Sequence, residues 1–175
     1  MREILFRGKQ IDNGEWVEGF YYKMSETTYC FAEDYERNPV PEHHYILQER
    51  MTDWGLPNQI IQIEVDPETI CQFTGMCDVN GNKVYEGDII KHCLSDAYAP
   101  IEYSCYQNCF GSGTAKHIGF YVAWSDNLCL RRDLGYWIGK GYTVAGNVFD
   151  NPELLQGETT IPVVSGSRKE TGDNP

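Results

Sequence analysis

The residues best suited to bind a metal ion are histidines and cysteines between positions 92 and 117. Zinc prefers thiolate and imidazole ligands in a tetrahedron, often supplied as pairs a few residues apart. The candidates are His92, Cys105, Cys109 and His117. Cys105 and Cys109 are suitably spaced for one pair, but the sequence contains no C-x-x-C. We therefore predict free thiols in a loop, with a zinc site at these four residues as the alternative.

The sequence shows no convincing set of catalytic residues. A cysteine nucleophile needs a base within hydrogen-bond reach, and Cys93 is next to His92 only in sequence. The segment 135–141 resembles a phosphate-binding loop, but its spacing is one residue short and Gly141 replaces the Ser or Thr that binds magnesium. We predict a flexible turn there, no catalytic residue and no cofactor. An enzyme using a metal or a thiol in the 92–117 stretch is the alternative.

A cluster of aromatic and basic residues could form a binding surface. It contains Trp124, Arg131, Arg132, Tyr136 and Trp137. Aromatic grooves bind Pro-rich peptides, and aromatic rings combined with arginine suit single-stranded nucleic acid. A small β-barrel also needs large side chains in its core, so we expect about half of these aromatic residues to be buried. The exposed remainder would mark the surface that contacts a partner.

The charge of the chain is strongly negative and unevenly distributed. The formal net charge is −12, and the stretch from Asp12 to Glu68 holds thirteen acidic residues against three basic ones. Such a surface repels phosphate, so we predict no binding to nucleic acid or to an anionic membrane. Solubility is the simplest interpretation of this charge. The alternative is a DNA-mimicking inhibitor, which requires the acidic groups to lie on one face.

The sequence predicts a cytoplasmic protein. The segment Met1–Arg7 lacks the apolar run of a secretory signal, and no stretch approaches the roughly 20 apolar residues of a membrane span. In the cytoplasm the seven cysteines should be mostly reduced.

The pattern of apolar residues predicts about eight short strands and little helix. Trp16–Tyr22 follows an Asp-Asn-Gly turn and completes an N-terminal hairpin, and Ile60–Val65 alternates cleanly. We predict loops over 32–58, with a short strand near Tyr45–Leu47, and over 94–116. Short strands and regular turns favour a small barrel or roll in the second half.

Four turn residues have specific predicted roles. Asp66 should cap a single helical turn that begins at Pro67, where the missing N–H costs nothing. Gly81 and Gly87 should supply positive φ angles in tight turns. Asp88 should accept a hydrogen bond from the backbone of the turn that contains Gly87.

Three separated blocks of the sequence resemble the YopX family. The blocks are Arg2–Lys9, Val65–Ile90 and Val144–Leu155, and the resemblance spans about residues 1–155. It implies a protein encoded by a phage or prophage, a C-terminal domain similar to an SH3-type β-barrel, and oligomeric assembly. It implies no particular activity and therefore no catalytic residues.

These observations together predict a mainly β protein. We expect an acidic β-rich region over 1–64, an SH3-like barrel over 65–155 and a mobile polar tail over 156–175. The preferred hypothesis is a non-enzymatic phage or prophage accessory protein that forms a homo-oligomer and binds a host or phage protein.

Overall fold

The computed structural model describes residues 3–92, 97–108, 116–125 and 130–156. Within these ranges the chain forms ten strands and two short helices. The strands are β1 (Phe6–Lys9), β2 (Trp16–Ser25), β3 (Glu42–Arg50), β4 (Gln59–Glu64), β5 (Cys71–Cys77), β6 (Lys83–Tyr85), β7 (Asp88–Lys91), β8 (Tyr98–Tyr106), β9 (His117–Val122) and β10 (Val144–Asn147). The helices are α1 (Ala32–Arg37) and α2 (Leu134–Gly139), and 3-10 turns cover Pro67–Thr69 and Pro152–Leu155.

The first sheet has six strands in the order β4-β3-β2-β1-β5-β6. The sheet curls, because Gln10 just after β1 forms an antiparallel bridge with Val65 just after β4. The chain then turns through Pro67–Thr69, where the Asp66 side chain accepts a hydrogen bond from the Glu68 amide. This confirms the predicted cap.

The second sheet has four antiparallel strands in the order β10-β7-β8-β9. Helix α2 packs on it, and its buried residues Leu134 and Trp137 join the main core. The remaining buried members of that core are Val84, Ile90, Ala97, Ala99, Ile101, Val122 and Trp124. A smaller core lies on the first sheet and contains Leu5, Cys71, Phe73 and Tyr85, and Phe149, which follows β10, packs against it.

The prediction of a mainly β protein with little helix and an N-terminal hairpin is confirmed by these strands and by the β1–β2 pairing. The closed barrel expected for the second half is not present in the described residues. The second sheet is open there, because its terminal strands β9 and β10 each pair with an inner strand and not with each other. Strand pairing also crosses the proposed boundary at residues 64 and 65, since β5 pairs with β1. The division into domains therefore stays a prediction.

Several elements differ from the prediction. Strand β3 covers nine residues instead of three, and β8 lies within a stretch that was predicted as loop. Strand β8 contains a proline and a serine, and it is stabilised by its neighbours β7 and β9 and not by its own composition. Helix α2 replaces the predicted turn, because Leu134 and Trp137 are three residues apart and both reach the core.

No helix in the described ranges is long and apolar enough to span a bilayer. Apart from Gln156, the predicted mobile tail lies outside the described residues.

Candidate functional site

The structure separates the zinc candidates. His92 lies near the start of β8, where its amide donates to the Ala97 carbonyl over 2.8 Å, and its ring packs edge-on against Trp124 and Trp137. Cys105 lies near the other end of β8, roughly 25 Å away at the usual rise of a strand.

The remaining candidates do not restore the zinc site. His117 stacks on Tyr106, the neighbour of Cys105, so the histidine and the thiol point to opposite faces of the β8–β9 hairpin. Cys109 lies outside the described residues. Within the described ranges, no three His, Cys, Asp or Glu side chains are arranged to hold a metal ion.

The predicted aromatic and basic surface is divided between core and surface. Trp124 and Trp137 are buried, so they are not available to a partner. Tyr136 is exposed, and the Arg131 guanidinium lies 5.0 Å from the centre of its ring. Arg132 is half-buried and donates to the Trp124 carbonyl over 3.3 Å. The predicted binding surface is therefore reduced to Arg131, Arg132 and Tyr136.

Asp133, at the start of α2, organises the polar groups beside these residues. Its carboxylate accepts hydrogen bonds from Arg131 Nε at 2.5 Å, Tyr106 Oη at 2.9 Å and Asn108 Nδ2 at 2.8 Å. Burial opposes ionisation, but these three donors hold the pKa of Asp133 below its usual value. Helix α2 is thus tied to the β8–β9 hairpin.

A groove of about 360 Å³ lies between α2, β5 and the β8–β9 hairpin, and we call it the α2 groove. Six of its ten lining residues are apolar or aromatic, but polar atoms contribute more of its accessible surface than apolar atoms do. Its lining residues are Thr74, Met76, Tyr103, Tyr106, Ile118, Gly119, Phe120, Asp133, Leu134 and Gly135. None of these is a histidine or a cysteine. The groove therefore offers both apolar side chains and hydrogen-bonding groups to an occupant.

The exposed wall of the α2 groove continues the face of β8 and β9 that forms the core. Ile101 and Val122 pair in the core, and two residues further out Tyr103 pairs with Phe120. Their rings meet edge to face at 5.0 Å. Ile118, the next residue on this face, is largely exposed. The hairpin therefore extends its apolar face beyond the core.

The β3–β4 connection carries a second exposed apolar feature, which sequence reasoning missed. Trp54 is fully exposed at 103% relative accessibility, with Met51 at 83% and Leu56 at 60%. We call these three residues the hairpin tip. Its turn is defined by a hydrogen bond from the Leu56 amide to the Asp53 carbonyl and by a positive φ at Gly55. In the sequence, the apolar run Trp-Gly-Leu-Pro between polar residues could have indicated an exposed apolar turn.

The family-like blocks meet at a junction between the two sheets. Arg7 on β1 forms an ion pair of 2.5 Å with Asp88, which is 2% exposed. The guanidinium lies 4.8 Å from the Trp16 ring centre and 4.6 Å from that of Tyr85. Asp88 also accepts the Tyr85 amide at 2.7 Å, as predicted for this turn. Burial raises the pKa of Asp88, and Arg7 opposes this effect.

The C-terminal block reaches the same junction. Asp150 accepts hydrogen bonds from Lys9 at 2.5 Å, Trp16 at 2.7 Å and Asn147 at 2.8 Å, which lower its pKa to about 2. Gly87 has the predicted positive φ of 77°, and its carbonyl accepts from the Val148 amide. The third block therefore completes the packing of the turn.

The buried groups of the junction are poor reactants. Burial raises the pKa of the Cys71 thiol to about 11, so it is protonated at neutral pH. Burial and a hydrogen bond to Glu18 also raise the pKa of the Tyr85 phenol. The arrangement supports a structural role.

The acidic residues of the first sheet are spread over both faces and are mostly paired. Glu18 contacts Lys83, and Glu42 forms an ion pair with Lys23. Glu18 shares a face with Arg7, whereas Glu42 lies opposite Ser25 on the other face. This distribution favours solubility over imitation of a DNA backbone.

His43 connects two further acidic residues. Its Nδ1 lies 2.6 Å from Glu64 Oε1 and its Nε2 2.9 Å from Glu26 Oε1. The hydrogen bond to Glu64 and, to a smaller extent, the hydrogen bond to Glu26 raise the pKa of His43, because both stabilise the charged imidazolium.

The chain was compared with family models, with curated proteins and with solved structures. Among curated proteins, nothing matches the chain. Among solved structures it is similar to the crystal structure of protein EF1440 from Enterococcus faecalis, with 20% identity and a TM-score of 0.41. That alignment covers 89% of this chain and 99% of the other. The family model for the YopX protein matches residues 5–156, so the chain belongs to the YopX family.

Proposed function

We propose that the protein is a non-enzymatic binding and assembly module of phage or prophage origin that acts in the bacterial cytoplasm. The observation that supports this most directly is the α2 groove, whose wall includes exposed Tyr103 and Ile118. Exposed apolar surface of this kind marks sites of protein contact. Family membership is consistent with the proposal.

The chemistry of the site favours a protein segment as its occupant. A groove of about 360 Å³ is at the small end of the usual range for ligand pockets. Its charged residue, Asp133, already accepts three hydrogen bonds. The aromatic rings and Ile118 would contact one or two large apolar side chains from a homo-oligomer partner or from a host or phage protein, and the polar atoms of the groove would hydrogen-bond the backbone of that segment.

The test compares capture of protein partners by three forms of the chain. Ile118→Asp places a charge on the wall of the groove, whereas Ile11→Asp changes an exposed isoleucine in the β1–β2 turn outside it. We expect the wild type and Ile11→Asp to retain a stoichiometric protein from a bacterial lysate, or a second copy of the chain. Ile118→Asp should lose it. Equal capture by all three forms would contradict the proposal.

A further inference from the structure

Strand β4 forms one edge of the first sheet, and part of its backbone faces away from β3. The Val65 amide donates to the His44 carbonyl over 2.8 Å, so Glu64 belongs to a cross-strand pair that exchanges no hydrogen bonds. The same alternation turns the N–H and C=O groups of Ile60 and Gln62 away from β3. Within the described residues, no hydrogen bond reaches the backbone of Ile60 or Gln62 from the outer side.

The edge of β4 also lacks the features that usually prevent a sheet edge from pairing with another chain. Protected edges are commonly short, bulged, or interrupted by lysine or proline. Strand β4 pairs with β3 over six residues without a shift of register, and it contains no lysine, proline or glycine. By contrast, β6 and β10 have three and four residues, and the outer edge of β9 is bridged from Tyr121 to Asp133. Among the described strands, β4 is therefore the edge best suited to accept a further strand.

A cavity of about 390 Å³ opens beside this edge, where the β1–β2 turn meets β4, and we call it the β4 pocket. Its walls combine two carboxylates, two amides and two isoleucines, from Asp12, Glu64, Gln10, Gln62, Ile11 and Ile63. The Ile11 amide donates to the Glu64 carbonyl over 3.2 Å, which holds the turn against the strand. Gln62 belongs both to the free edge and to the wall, so a strand added to β4 would bring its side chains to the pocket.

The charged groups at the β4 pocket are mainly acidic. Asp12 and Glu64 lie in its wall, and Glu64 shares the ring of His43 with Glu26. Even when His43 is charged, one imidazolium faces three carboxylates, which leaves an excess of negative charge. A lysine or arginine side chain is the protein group that best complements such a pocket.

The basic residues of the first four strands do not neutralise the pocket. Three of them form ion pairs with other carboxylates: Arg7 with Asp88, Lys9 with Asp150, and Lys23 with Glu42. The fourth, Arg50, lies opposite Gln59 at the start of β4, roughly 17 Å along the strand from Glu64. This is about twice the distance over which exposed charges act at physiological salt. The cation that the pocket would bind must therefore come from a partner.

We propose that the edge of β4 binds an extended segment of another protein as an additional strand, with a lysine or arginine of that segment in the β4 pocket. The backbone of the segment would bond to Ile60 and Gln62, and its cation would contact Asp12 and Glu64. A second copy is disfavoured as the occupant, because the chain carries a net charge of −12 and its β4 offers no cation. This surface shares no residue with the α2 groove, so it is an interaction site beyond the proposed function.

The test begins with a displayed library of random peptides that is selected on the immobilised full chain. Peptides that bind at β4 should alternate β-branched residues with polar ones and carry a lysine or arginine near their centre. A selection that enriches no peptide, or only peptides without a basic residue, would overturn the inference.

Two pairs of variants then locate the binding of a selected peptide, measured by fluorescence anisotropy. Gln62→Pro removes an outward N–H and no bond to β3, whereas Gln62→Thr keeps that N–H. Asp12→Lys reverses a charge of the β4 pocket, and Glu36→Lys makes the same change on exposed α1. We expect Gln62→Pro and Asp12→Lys each to weaken binding about tenfold, and both controls to bind like the wild type. Equal affinity within either pair would contradict the proposal.

Amide hydrogen exchange, followed by NMR, gives a test on the wild type that does not depend on the folding of a variant. The amides of Ile61 and Ile63 bond to β3 in the free chain, whereas those of Ile60 and Gln62 are open to water. A selected peptide should slow exchange at Ile60 and Gln62 and change it little at Ile61 and Ile63. A bound peptide that leaves Ile60 and Gln62 unprotected would rule out strand addition.

Two further outcomes separate this site from other interfaces. If the wild type dimerises in sedimentation velocity and Gln62→Pro abolishes the dimer, the edge pairs with a second copy and the proposal is wrong. Ile118→Asp should bind the selected peptides like the wild type, because its substitution lies in the α2 groove. Loss of a lysate partner by Ile118→Asp therefore tests the proposed function alone, and failure of either proposal leaves the other standing.

Discussion

The junction and the hairpin tip differ in both composition and position in the sequence. The junction is built mainly from residues of the family-like blocks, joined by Trp16 and Glu18 from β2, and the Arg7–Asp88 pair at its centre is largely withdrawn from water. The tip lies in a segment without a recognisable motif and exposes Trp54 fully. The comparison indicates that the recognisable residues of this protein maintain its fold. Trp54 and Ile118, two of the most exposed apolar side chains, lie outside those blocks.

The largest expected effect is at the centre of the junction. Asp88→Asn leaves the Arg7 guanidinium among aromatic rings without its carboxylate, and breaking a buried pair in this way costs about 3–5 kcal/mol. Urea unfolding should show this loss. Lys23→Gln, which breaks the exposed pair with Glu42, is the control and should leave stability unchanged. Equal stability of Asp88→Asn and wild type would mean that the junction is not structural.

The second prediction concerns thiol reactivity at the junction. With its pKa raised from 9.0 to about 11, Cys71 should have about 100-fold less thiolate at pH 8 than a cysteine whose pKa is not shifted by burial. Alkylation followed by peptide mass spectrometry should therefore label the exposed Cys30, Cys77 and Cys105 long before Cys71. Rapid labelling of Cys71 in the folded protein would show that the junction opens readily.

The third prediction tests the tight turn within the junction. Gly87→Ala forces a side chain into the left-handed region, which costs about 1–2 kcal/mol. Gly139→Ala is the control, because its added methyl would meet no atom of the described residues within 4 Å and its φ lies outside the left-handed region. The midpoint of urea unfolding should fall for the first variant only.

A smaller effect is expected from His43 as pH changes. Its pKa is raised in the folded state, so its contacts with Glu26 and Glu64 stabilise the fold fully below the unfolded value of about 6.5. This contribution is lost as pH rises through the folded pKa. The stability difference between wild type and His43→Gln should therefore shrink as the pH rises from about 6.5 through the pKa of His43 in the folded protein. A difference that grows with pH would contradict the assignment.

The smallest effect on stability is expected at the tip. Trp54→Ser removes a side chain that packs on nothing in the described part of the monomer, so the unfolding free energy of the isolated chain should stay within about 0.5 kcal/mol of wild type. Measured at concentrations where the chain is monomeric, a large loss would show that Trp54 supports the fold.

The sequence was most informative where a local rule decides the structure. The Asp66 cap, the positive φ of Gly81 and Gly87, and the hydrogen bond from the Tyr85 amide to Asp88 follow from turn chemistry within a few residues. Alternating apolar residues also identified β2, β4 and β9.

The elements that were missed depend on distant partners. Strand β8 is held between β7 and β9, and α2 is fixed by core contacts of Leu134 and Trp137. Likewise, the sequence did not show that Trp124 is buried and Trp54 exposed, because the burial of each ring depends on which distant residues pack against it. The α2 groove combines three elements and was not predictable before their packing was known.

The central position of β1 has a consequence for how the protein is made. This strand pairs with β2 on one side and β5 on the other, and the Arg7–Asp88 contact joins positions 81 residues apart. During translation, β1 therefore cannot pair with β5 until more than 60 further residues have been synthesised. High contact order of this kind slows folding. Until β5 has left the ribosome, the nascent chain exposes one edge of β1 to chaperones or to other chains.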